Sequence, residues 1–128
     1  MKAKDLVLKV VNETEDGKYE IKEFKSYMTY ESFVGNILAD AEILRPTGIK
    51  DVTGKQIYEG DIVEFYNDVY YILKPGIAKI IYELGAFQMV NERYGADYLG
   101  NMDIDDMCIR VIGNIYENPK LLKSEVEQ

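Results

Sequence analysis

Glycine punctuation is the feature that most constrains this chain. The stretch "TGIKDVTGKQIYEGDIVEF", residues 47–65, carries three glycines, which frame a short apolar run and then a strand-like run. Asp51-Val52-Thr53-Gly54 reads as a turn, in which the aspartate side chain holds a local main-chain N–H and glycine accepts positive φ. Residues 55–58 are extended, Glu59-Gly60 turns the chain again, and Asp61 opens a strand over 61–66.

The same rhythm continues to the C-terminal region. Residues 69–73 read as a further strand, broken by Pro75-Gly76, and 77–84 with 87–90 as a hairpin about Gly85. Residues 108–116 form a β-branched strand interrupted at Gly113, and Asn118-Pro119 ends regular structure, leaving a polar tail that frays. Upstream, 6–11 and 19–24 pair as a hairpin, with Asp16-Gly17 in the turn. Tyr30, Phe33, Val34, Ile37, Leu38 and Ala41 share one face at helical spacing, so a helix is predicted near 29–41, capped by Thr29 and ended before Pro46. The fold expected is mainly β (α+β), with short antiparallel strands in a small SH3-like barrel, an N-terminal hairpin and one helix. Its expected parts are hairpin plus helix over 1–45, barrel core over 46–118 and tail over 119–128.

Composition excludes several chemistries. The chain has 128 residues, no histidine and a single cysteine, Cys108. Without histidine there is no nucleophile–histidine dyad and no histidine-held zinc or iron, which leaves only carboxylate sites for magnesium or calcium. No internal disulfide can form. Cys108 lies among Met107, Ile109 and Val111, so a buried, inert thiol is expected. The net charge is −8, and it is uneven: residues 1–60 carry nine basic and eleven acidic groups, residues 61–128 six and twelve. Phosphate neutralisation needs Lys and Arg, so nucleic acid is disfavoured as a partner of the second half. No apolar run approaches the roughly 20 residues of a membrane span, and the start reads as a strand rather than a signal peptide. A cytoplasmic protein is expected.

The blocks "PTGIKDVTGKQIYEGDIVEF" and "VIGNIYENPKLL", residues 46–65 and 111–122, closely resemble the YopX family of phage and prophage proteins in order and approximate spacing. Family members often begin with a Phe-Arg-Ala-Trp-like strand, whereas this chain has no tryptophan and reads "LVLKVVNETEDG" there. The resemblance implies a mostly β protein encoded by a phage or prophage and acting in the bacterial cytoplasm. It implies no activity and brings no catalytic residues.

Candidate sites are weighed on their own chemistry. Glu59 and Asp61 flank Gly60 as a carboxylate pair, but an aspartate at a strand entry ordinarily binds turn amides. Asp103, Asp105 and Asp106 suggest a cation loop; counted from Asp103, however, Cys108 and Asn114 stand where an EF-hand needs glycine and glutamate. No phosphate-cradling glycine motif occurs. Asp51, Gly54, Gly60, Asp61, Gly113 and Asn118 are therefore read as structural turn residues, with no cofactor, metal or catalytic group assigned. Eleven tyrosines remain. Tyr58, Tyr66, Tyr70, Tyr71 and Tyr116 are candidates for an interaction surface, because tyrosine combines a large apolar ring with a polar tip. The expected function is that of a non-enzymatic accessory protein working by self-assembly or by binding a phage or host protein. The alternative is a nucleic-acid-associated factor that stacks bases on Tyr66, Tyr70 and Tyr71, with Lys74 and Lys79 the only cations close in sequence.

Overall fold

The computed structural model describes residues 7–25 and 42–126, and the helix expected over 29–41 lies outside them. The chain divides into two compact units, Met1–Pro46 and Thr47–Gln128.

In the first unit, β1 (Val7–Glu13) pairs antiparallel with β2 (Tyr19–Lys25), and on its other side with the short β3 (Glu42–Leu44). The hairpin turn is closed by Thr14, whose N–H donates to the Lys18 carbonyl at 2.6 Å while its hydroxyl donates to the Asp16 carboxylate. Among its described residues, Val10, Val11 and Leu44 are the buried apolar ones.

Among the described residues, the second unit holds the larger buried apolar cluster. A two-stranded sheet of β4 (Pro46–Lys50) and β5 (Gln56–Tyr58) precedes β6 (Asp61–Phe65), β7 (Gly76–Glu83), β8 (Ala86–Asn91), β9 (Gly95–Tyr98) and β10 (Arg110–Asn114). These last five form an antiparallel sheet in the order β10-β6-β7-β8-β9. The register pairs Val63 with Ala78 and Ile80 with Met89, so alternation puts all four on one face with Phe65. That face is the core, completed by Ile57, Tyr71, Leu99 and Ile109.

The chain is thus mainly β, with antiparallel sheets. No closed barrel is found among the described residues: the five-stranded sheet ends on β9 and β10, so the SH3-like closure expected from the strand rhythm is not confirmed. Three further expectations are corrected. Residues 69–73 make no strand, because β6 already has neighbours on both sides; the Asn67 N–H instead donates to the Tyr71 carbonyl at 2.6 Å and closes a loop. The expected C-terminal fraying gives way to a short helix, α1 (Lys120–Val126), which packs on β7. Leu122 lies there beside Ile77 and Val90, which supplies the apolar contact that a polar reading of the tail overlooked. Cys108 is exposed rather than buried and has φ 51°, in the turn that delivers the fully buried Ile109 to the core.

Candidate functional site

The glycine-rich stretch is engaged in holding the fold. Asp51 is buried, and one carboxylate oxygen accepts the N–H groups of Thr53 and Lys55 at 2.9 and 3.0 Å and the Thr53 hydroxyl at 2.6 Å. Its other oxygen accepts the Val111 N–H at 3.0 Å, and the Val52 N–H donates to the Ile109 carbonyl at 2.9 Å. The turn after β4 is thereby fastened to the start of β10. Burial alone would raise the Asp51 pKa; the Thr53 hydroxyl and the amides of Val111, Lys55 and Thr53 outweigh it and hold the carboxyl below its ordinary value.

Gly60 is similarly committed, with φ 86°, its N–H donating to Ile80 at 2.7 Å and its carbonyl accepting from Ile115 at 2.8 Å. Asp61 is buried and its carboxylate accepts the Tyr58 N–H at 2.8 Å, while Glu59 beside it is half-buried. Gly113 sits at a bulge between β10 and β6, where a Cβ would come within 2.6 Å of the Asn118 side chain. Asn118 in turn accepts the Asn114 N–H at 3.2 Å. Gly54 has φ 91° in the exposed turn that follows Asp51.

The acidic loop is a sequence of turns. Asp103 accepts the Asp106 N–H through its side chain and the Met107 N–H through its carbonyl, and the Cys108 N–H donates to Asp105. Among the described residues, no three acidic or thiol side chains converge as a metal site.

The tyrosines separate by burial. Tyr58 and Tyr71 are buried, Tyr66 and Tyr116 half-buried, and Tyr70 is exposed. Tyr71 enters the core because the loop over 67–71 folds back on itself. Its ring meets Phe65 edge-on, with centroids 5.2 Å apart, and lies where a Cβ on Gly76 would fall 2.6 Å away. The same folding turns its neighbours outward: Val69, Tyr70, Ile72 and Leu73 are 72%, 57%, 63% and 94% exposed.

Two residues that the sequence reading did not single out complete this surface. Tyr94 packs against Tyr70 and Tyr71 at centroid distances of 5.8 and 6.1 Å, and its hydroxyl lies 3.0 Å from the Asn67 side-chain oxygen. The Arg93 guanidinium stands over the Tyr70 ring, 4.4 Å from its centroid. Both lie in the turn between β8 and β9, more than twenty residues from Tyr70, and no local signal ties the two segments together. Beside Tyr94, an open cavity of about 370 Å³ is lined by Phe65, Met89, Met102 and Met107, with Asp97 at its rim.

These features define a small antiparallel β protein with polar turn residues spent on main-chain bonds, an apolar core under its five-stranded sheet and four exposed apolar side chains in the loop over 69–73. The chain belongs to the YopX family, whose model, described as YopX protein, matches residues 3–123. It is similar in fold to the crystal structure of protein yopX from Bacillus subtilis, at 18% identity and a TM-score of 0.51 over 91% of this chain and 97% of that one. It is also similar to protein EF1440 from Enterococcus faecalis, at 25% identity and a TM-score of 0.48 over 90% and 74% of the two chains. No curated protein matches the sequence.

Proposed function

We propose that this is a phage- or prophage-encoded accessory protein without enzymatic activity, acting in the bacterial cytoplasm through protein–protein contact, and first through self-association. The observation that carries the reading is the loop over 69–73, where four large apolar side chains stand exposed around a tyrosine cluster. Burying such a group is favourable by about 25 cal/mol per Å² of apolar surface, and a contiguous apolar patch of this kind marks interaction sites on soluble proteins. The strand order is read as an opened relative of an SH3-like barrel, which leaves edges and loops for contacts rather than an enclosed reaction chamber.

Light scattering at micromolar concentration in moderate salt tests this reading. A species larger than 14.7 kDa, reduced to the monomer by Leu73→Asp, supports it. A wild-type monomer that also recovers no protein from host lysate would overturn it.

One contact favours the nucleic-acid alternative. Arg93 over Tyr70 offers a cation beside an exposed ring on which a base could stack. Against it stand six basic and twelve acidic groups over residues 61–128. Salt-sensitive retention on single-stranded DNA, lost in Tyr70→Ala, would move the assignment to that class.

A further inference from the structure

We infer that self-association is reciprocal: the loop of each copy, led by Leu73, seats in the methionine-lined cavity of the other. This rests on the self-association reading above and names its occupant and its seat.

The cavity arises from register. Met89 pairs with Asp97 and Asn91 with Gly95, so on β9 the core face of the sheet carries a carboxylate and a glycine. The apolar layer built by Ile80 and Met89 therefore has no side chain of its own to extend it over β9. What remains is an open hollow lined by Phe65, Met89, Met102, Met107 and Tyr94, with Asn67, Asn91 and Asp97 as its polar lining. At about 370 Å³ it exceeds the roughly 150 Å³ that accommodates a benzene ring. Methionine walls adjust to an incoming aliphatic chain without a fixed shape of their own.

The matching knob belongs to the loop that Tyr94 touches. Leu73 is 94% exposed and Ile72 63%. Tyr94 belongs to both features, lining the cavity while packing on Tyr70 and Tyr71 of the loop. A two-fold pair requires each copy to present both halves of the contact on one surface, and this arrangement does so.

Charge selects a second copy over an arbitrary apolar guest. Lys74 follows Leu73 directly and Arg93 covers Tyr70, so two cations flank the apolar end of the knob, against the single exposed carboxylate Asp68 at the loop's other end. The hollow has Asp97 at its rim, and the exposed Asp103, Asp105 and Asp106 lie in the chain between its walls Met102 and Met107. Opposite charges therefore meet twice, once on each side of the axis. Because these groups are exposed, their attraction is steering in character and is screened by salt.

The test is sedimentation velocity on the full chain over a micromolar concentration series. Wild type should form a pair whose dissociation constant rises at least tenfold between low and high salt. Leu73→Asp removes the knob, and Asp97→Trp fills the hollow from an exposed strand position; each alone should be monomeric. Mixed together they should form a hetero-pair, since one intact knob and one intact hollow remain. Leu73→Ser and Asp97→Arg serve as second variants, and near-ultraviolet circular dichroism verifies that each protein is folded. Should Asp97→Trp and Asp97→Arg pair as wild type does while Leu73→Asp does not, the loop docks elsewhere; this inference falls and the self-association reading stands. A monomeric wild type removes both. Failure of the mixed variants to pair at any concentration overturns the reciprocal seating, and tight binding of a hydrophobic dye by a monomeric wild type reassigns the hollow to small ligands.

Discussion

The carboxylate of Asp51 accepts the main-chain N–H of Val111, 60 residues further along the chain, at 3.0 Å. This one acceptor joins the turn after β4 to the first residues of β10, while its other oxygen holds the turn's own amides. Asp51→Asn keeps the shape but replaces one acceptor oxygen by a donor. Whichever way the amide is placed, an N–H faces an N–H in a buried site. Leaving such a donor unsatisfied costs about 1–3 kcal/mol, and more where the lost acceptor was charged. The variant should lose about 2–3 kcal/mol in urea denaturation; an unchanged midpoint would mean that the bond to Val111 is dispensable.

The same bonds give a pH signature. With its folded pKa held below the ordinary 3.8, Asp51 binds its proton more readily when unfolded. Its contribution to stability is therefore complete above 3.8 and is lost as pH falls through the lower folded value. Other carboxylates titrate nearby, so the informative quantity is the stability difference between wild type and Asp51→Asn. That difference should stay constant from neutral pH to about pH 4 and narrow below it. A gap that persists unchanged into strong acid would place the effect in shape rather than charge.

Gly60 shows how a small residue ties two distant segments to one corner. It has φ 86°, and its two polar groups reach Ile80 and Ile115 while Asp61 beside it holds Tyr58. A Cβ at this left-handed position carries a strain of about 1 kcal/mol, with further loss if the bonds on either side stretch. Gly60→Ala should lower the thermal midpoint by several degrees, and an unaltered melt would show that the segment relaxes freely.

Gly76 acts through space rather than conformation. Its missing side chain is where the Tyr71 and Phe65 rings lie, at 2.6 and 2.7 Å from a built Cβ. Gly76→Ala should displace the Tyr71 ring, destabilise the fold by about 1–3 kcal/mol through overpacking, and loosen the loop above it. Weaker near-ultraviolet dichroism and faster exchange of the Asn67 amide would register that movement. Retention of both signals would place the flexibility in the rings.

Local chemistry made much of this legible in the sequence. The turn at Asp51, the corner at Gly60 and the hairpin about Gly85 were all readable, because each depends on residues within four positions of one another. The strand 76–83 alternates plainly, and its mate follows at once. What failed to appear depends on pairing between distant segments. Residues 69–73 are as apolar as any strand here, yet β10 and β7 already occupy both sides of β6. β9 is fully exposed and carries no alternating signal, so only its ladder to β8 defines it. Cys108 looked buried by the company of Met107 and Ile109, but a left-handed residue there turns Ile109 inward and leaves the thiol outside. The interaction surface suffers most from this limit: Tyr70 was legible as a candidate, whereas Arg93 and Tyr94 reach it only through the sheet.

The tip of the β7–β8 hairpin offers the last prediction. Glu83 pairs with Ala86, so the loop is two residues long, and both have positive φ, 55° at Leu84 and 80° at Gly85. Such a turn matches the twist of its strands and favours asparagine before glycine. Leucine instead holds a left-handed conformation that is unfavourable by about 1–2 kcal/mol for a residue with an ordinary side chain, and at 94% exposure it recovers nothing by packing. Leu84→Asn should therefore raise stability by about 1 kcal/mol, visible as a higher urea midpoint with an unchanged slope. Because Leu84 lies outside both the 69–73 loop and the cavity beside Tyr94, the variant should associate as wild type does in sedimentation. A stabilised but monomeric Leu84→Asn would move the self-association contact to this hairpin tip, where the Tyr82 and Phe87 rings meet at a tilt with centroids 4.9 Å apart.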